Sequence, residues 1–86
     1  MSKPKTIHST EYADFLRLLR QFRERQGLTQ EQLAEKLGAT QSFISKCERG
    51  ERRIDALELR AFCLAMGVSM TAFVAELEQI LSKDSP

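Results

Sequence analysis

No run of roughly eighteen apolar residues occurs in this 86-residue chain, and no apolar segment follows a basic start. A membrane-spanning helix and a secretory signal are therefore not expected, and the cytoplasm is the expected compartment. Cysteine is scarce: Cys47 and Cys63 fit no metal-ligand spacing and are too few for a disulfide scaffold. Both read as small buried apolar side chains, and burial argues against a thiol switch at Cys47 because it raises a thiol's pKa. The single histidine, His8, falls in a polar N-terminal stretch. No Ser or Cys has a partner base nearby, and there is no Gly-rich phosphate loop. Enzymatic chemistry, a metal, a cofactor and a small-molecule ligand are all unexpected.

Charge of one sign is also nearly absent as a total, with 13 Lys and Arg against 12 Asp and Glu and a net of +1. The distribution is uneven, however. Residues 17–53 hold nine basic side chains against five Glu, whereas residues 54–86 hold Arg60 and Lys83 against five acids. One basic half suits phosphate binding by one face of the molecule.

Alternation of apolar and polar residues is missing too, so no strand is expected. What the chain does carry is punctuation for helices. Gly27, Gly38, Gly50 and Gly67 each stand where a helix should stop. Thr29 with Gln32 and Asp55 with Glu58 form capping boxes, and Thr40 and Ser69 can cap two further helices. Leu28 with Leu33, Ile54 with Leu59 and Val68 with Phe73 can staple across three of these starts. The spacing predicts helices over 11–26, 30–37, 41–49, 56–66 and 70–81, an all-α five-helix domain spanning residues 10–81. Residues 1–9, polar and containing Pro4, read as a mobile arm, and residues 82–86 as a frayed tail. The first helix places Tyr12, Phe15, Leu16, Leu19 and Phe22 at helical spacing, the fourth is apolar on most sides, and the fifth carries Met70, Phe73, Val74, Leu77 and Leu81 along one stripe.

The segment from Thr29 to Gly50, TQEQLAEKLGATQSFISKCERG, is the most specific stretch. It reads as two short helices joined by a tight turn. On the second, Ile44 and Cys47 fall on an inner face, while Gln41, Ser42, Ser45, Lys46 and Arg49 form a contiguous polar face. A Gln amide can bond adenine N6 and N7 together, Lys can donate to guanine O6 and N7, and Ser permits close approach. Polarity alone fits equally well the solvated face of any short amphipathic helix. Three residues shift the balance: Ala34 lets the two helices approach, Gly38 opens the turn, and Ile44 anchors the second helix. Phe43, at the border of the two faces, is expected to pack at the domain edge rather than touch a thymine methyl.

The stretch GLTQEQLAEKLGATQSFISKCERGERR resembles the helix-turn-helix of the Cro/C1-type, phage-repressor-like (XRE) regulators of bacteria, and the likeness extends over about residues 15–77. It implies a compact lambda-repressor-like domain that binds double-stranded DNA, usually as a homodimer on a pseudo-palindromic operator. Gln41, Ser42 and Lys46 then match base-reading positions, with Ser45 beside them on the same face. Thr29 and Gln30 match phosphate-contacting positions, which agrees with the preference of a helix N-terminus for anions. The resemblance also implies a structural ion pair between Arg23 and Glu48. Cys47 departs from the larger residue common at its position.

Beyond the motif, Arg49, Arg52 and Arg53 flank Gly50 and can clamp the DNA backbone, although Glu51 lies among them and a solvated loop remains open. Lys3 and Lys5 are more simply read as part of a disordered tail than as a DNA-binding arm. A two-fold dimer would read two half-sites about 34 Å apart. Phe73, Leu77, Ile80 and Leu81 on the fifth helix are the candidate interface, shared with the intramolecular core. A free-standing repressor, an antitoxin and a restriction–modification controller all use such a domain. A protein–protein adaptor on the same fold would favour acidic or apolar residues at 41, 42, 45 and 46, and the chain does not have them.

Overall fold

The computed structural model describes residues 10–83. Five helices follow one another: α1 (Thr10–Arg25), α2 (Gln30–Leu37), α3 (Gln41–Glu48), α4 (Ala56–Met66) and α5 (Met70–Lys83). The starts of α2, α3, α4 and α5 are each built by the cap the sequence announces. Thr29 Oγ1 accepts from the Gln32 amide at 3.0 Å while Gln32 Oε1 accepts from the Thr29 amide at 2.9 Å. Asp55 and Glu58 repeat this reciprocal box at 2.8 and 3.0 Å. Thr40 and Ser69 accept from the amides of Phe43 and Ala72. Two otherwise orphaned amides at each box are thereby satisfied.

The turn between α2 and α3 depends on Gly38, which has φ +70°. In that conformation its amide bonds Glu35 O, and the Ala39 amide bonds Ala34 O at 2.9 Å, closing the end of α2. Gly50, with φ +80°, has a second constraint: a Cβ there would lie 3.2 Å from Leu16 Cδ1. The loop after α3 therefore passes tight against α1.

Three helices differ in their bounds from the sequence expectation. Helix α1 begins and ends one residue early, since Gln26 and Gly27 form a turn. Helix α3 stops at Glu48, with Arg49 as its C-cap. Helix α5 continues through Ser82 and Lys83 rather than fraying at 82. Ser82 Oγ donates to Glu78 Oε2 one turn back, and Lys83 adds positive charge at the C-terminal end of the helix. The expected arm over residues 1–9 and the last three residues of the expected tail lie outside the described residues.

The core gathers Leu18, Leu19 and Phe22 of α1, Leu33 and Ala34 of α2, Ile44 and Cys47 of α3, Leu59, Phe62, Cys63 and Met66 of α4, and Phe73 of α5. Helix α4, apolar on most sides, contacts both α2 and α5, while α3 rests on α2 and α1. Phe73 is the single fully buried residue of α5, and its ring meets Phe22 at 4.9 Å and Phe15 edge-on at 5.8 Å. Of the α5 residues that the sequence shares between core and interface, Phe73 lies in the interior of the chain. Arg25 adds a bidentate ion pair from α1 to Glu76 of α5, with contacts of 2.7 and 3.1 Å. No single described helix is long and apolar enough to cross a membrane.

Candidate nucleic-acid interface

Helix α3 is divided sharply between its two faces. Ile44 and Cys47 are fully buried, whereas Gln41, Ser42 and Lys46 are exposed and Ser45 is half-buried. Burial of the two apolar residues fixes the roll of the helix, so the polar set must face outward. Burial also pushes the Cys47 thiol above its ordinary value, as it does for Cys63. Both thiols are free and held as neutral apolar groups. Phe43 sits at the edge, 6.3 Å from Phe62 between ring centroids, in the packed role expected of it.

Beneath the outward face, α3 is tied to α1 and α2 by charged and amide groups. Glu48 Oε2 accepts from Arg23 Nε at 2.7 Å and Oε1 from Arg23 Nη2 at 3.0 Å. Arg23 Nη1 also donates to the carbonyl of Leu28 at 2.8 Å, at the entry to α2. The two side chains are only 10% and 5% exposed, so this pair is desolvated and needs every one of those bonds. Gln30 Nε2 donates to Glu48 Oε1 at 2.9 Å, and Gln41 Nε2 donates to Gln30 Oε1 at 2.7 Å. A continuous chain of bonds thus runs from the buried Arg23 to the exposed Gln41. Beyond the Arg23–Glu48 pair it is not legible in the sequence, because Arg23 and Gln30 lie on α1 and α2, Gln41 and Glu48 stand at opposite ends of α3, and only the crossing of α2 and α3 brings them together.

The basic residues after α3 part company. Arg49 continues the polar face, donating to Ser45 Oγ and pairing with Glu51 at 2.9 Å. Arg52 lies over the Phe43 ring at 5.1 Å and pairs with Glu58 at 2.7 Å. These contacts hold the Glu51 and Glu58 carboxyls below their ordinary range, through hydrogen bonds from Arg49 and Arg52 respectively. Arg53 turns the other way and stacks on Tyr12 of α1 at 4.3 Å. There it borders an apolar groove of about 330 Å³ lined by Tyr12, Phe15, Ile54, Leu59, Leu77 and Leu81. Arg49 and Arg52 therefore contact side chains of α3, while Arg53 contacts α1.

Thr29 has its hydroxyl engaged in the capping box and lies exposed at the start of α2, next to the half-buried Gln30. Leu77, Ile80 and Leu81 on α5 are half-buried, and the large apolar side chains left open to solvent are Leu57 (79%), Leu64 (62%) and Val74 (43%). Leu57 and Leu64 lie on α4, where the sequence counts them among the apolar residues of a central helix, and their exposure corrects that expectation for these two positions. Among the described residues, no group of His, Cys, Asp or Glu is placed to hold a metal ion.

A short helix anchored by its inner face, led in by a capped helix and a glycine turn, and presenting amide, hydroxyl and ammonium groups outward defines a DNA-binding helix-turn-helix regulator. The helix-turn-helix family profile matches residues 19–73, and the chain belongs to that family, in its XRE branch. Among solved structures, an XRE-family like protein from Pseudomonas syringae pv. tomato str. DC3000 is 43% identical with a TM-score of 0.81, covering 88% of this chain and 93% of that one. The wild-type restriction–modification controller protein C.Esp1396I is 26% identical with a TM-score of 0.79, over 88% of this chain and 99% of that one. The clp gene regulator ClgR from C. glutamicum is 26% identical with a TM-score of 0.72, over 84% and 94%. No curated protein matches.

Proposed function

We propose that this chain is a cytoplasmic, homodimeric transcription repressor that places α3 in the major groove of each half of a pseudo-palindromic operator. The observation that carries this reading is the division of α3, whose buried Ile44 and Cys47 oblige Gln41, Ser42 and Lys46 to face outward. In that pose Gln41, Ser42, Ser45 and Lys46 meet base edges. Thr29 and Gln30 at the start of α2 meet phosphate on one side, and Arg49 and Arg52 meet it on the other. Two copies joined through Leu77, Ile80 and Leu81 would supply the two-fold symmetry of such an operator. Bound in this way, the protein acts by occupying its site.

Control of a restriction–modification system is a second reading, supported by the likeness to the controller protein C.Esp1396I over nearly its whole length. The test is fluorescence anisotropy against duplexes from upstream of the chain's own gene, with random duplex as control, at two salt concentrations. Saturable binding to one fragment, at least about a thousandfold over random DNA, is the expected result. Equal, salt-sensitive binding to every duplex would overturn the sequence-specific reading. No binding at low salt would leave a protein–protein adaptor.

A further inference from the structure

We propose that Glu48, buried and out of reach of DNA, sets which way round Gln41 offers its amide to a base, with Gln30 carrying the instruction between them. This rests on the reading of α3 as the groove helix. Both oxygens of the Glu48 carboxylate face the Arg23 guanidinium, which has donors only. A carboxylate in that position can only accept. Gln30 must therefore turn its NH2 group inward, as it does at 2.9 Å, and that leaves its carbonyl oxygen pointing to Gln41. Gln41 must answer with its own NH2 group, at 2.7 Å.

The reverse arrangement is closed at each step. Flipping the Gln41 amide alone would set two carbonyl oxygens against each other at that 2.7 Å separation. Flipping both amides would set the Gln30 oxygen against the Glu48 carboxylate. Polarity thus runs outward from the ion pair, and the order of donor and acceptor on Gln41 is decided before DNA arrives. What Gln41 has left is one N–H and its carbonyl oxygen, in a fixed order. That is the complement of adenine N7 and N6–H, and the fixed order distinguishes it from a base pair presenting the two groups reversed. Glu48 is therefore a positioning residue for specificity, and not only a fastener between α1 and α3.

The test is selection from a random-sequence duplex library by the full chain, with thermal melts run alongside. Gln30→Met keeps the side-chain length and leaves the Arg23–Glu48 pair intact, but frees the Gln41 amide to turn over. The wild type is expected to select adenine at one position of each half-site, and Gln41→Ala to lose that preference. Gln30→Met should lose about tenfold of the same preference, over and above the uniform loss on random duplex that follows from its phosphate contact. Glu48→Gln, which can offer a donor or an acceptor to Gln30, should relax the same position and also melt lower. Preference retained in Gln30→Met, with or without a uniform loss of affinity, would overturn the relay while leaving the groove reading in place. Preference unchanged in Gln41→Ala would instead overturn the groove reading itself.

Discussion

At the scale of single residues, exposure and burial assign opposite consequences to neighbouring positions. Gln41 and Lys46 are exposed, so their truncation should affect DNA binding and not folding. Gln41→Ala or Lys46→Ala is expected to cost about 1–3 kcal/mol at the cognate site and to broaden base preference. Equal losses on cognate and random duplex would speak against base readout. Glu48→Ala acts on folding as well, leaving Arg23, itself 8% exposed, without the carboxylate. Breaking such a buried pair costs about 3–5 kcal/mol, and a calorimetric melt should show a clear drop. An unchanged melt with weaker DNA binding would instead make Glu48 a DNA contact. The buried thiols give a third residue-scale expectation. Their pKa values are raised chiefly by burial. Cys47 and Cys63 should therefore resist alkylation near neutral pH until the chain is denatured, and fast labelling of the native protein would contradict this.

At the scale of elements, caps and glycines made most of the fold readable from the sequence. Thr29 with Gln32 and Asp55 with Glu58 announce α2 and α4 to the residue, because a capping box is a local device with fixed spacing. The outward face of α3 was equally readable from helical periodicity. What was not readable depended on chain crossings. Arg52 reaches Glu58 across the turn that begins α4, and Arg53 stacks on Tyr12, so arginines adjacent in the sequence contact different helices. The end of α5 escaped for a different reason: its last turn is supported by the Glu78–Ser82 bond and by charge, not by apolar spacing. Arg52 also yields an element-scale prediction. Arg52 lies over Phe43 beside α3, and if it meets a phosphate as proposed, Arg52→Ala should weaken binding to all duplexes alike and flatten the salt dependence. A loss confined to one sequence would move Arg52 to base readout.

At the scale of the whole molecule, the first and last helices are joined at an exposed ion pair. The hydrogen bond from Arg25 holds the Glu76 carboxyl below its ordinary value of 4.5. A carboxyl whose pKa is lowered by folding stabilises the folded state above its unfolded value, and that contribution disappears as pH falls through the folded value. Melting wild type and Arg25→Met side by side should therefore show a gap at about pH 6 that closes as the pH drops below the ordinary Glu range, about 4.3. A gap that widened in acid would exclude this linkage. Helix α5 has otherwise one fully buried anchor, Phe73, with Leu77, Ile80 and Leu81 only half covered. An element held at so few points opens before the rest of a domain does. Its amide protons should exchange with solvent sooner than those of α4, whose Leu59, Phe62, Cys63 and Met66 all lie inside. If a second copy covers the half-exposed stripe, that exchange must slow as protein concentration rises, while the rate in α4 stays where it was. The fraying of one helix would then report on self-association in the absence of any DNA.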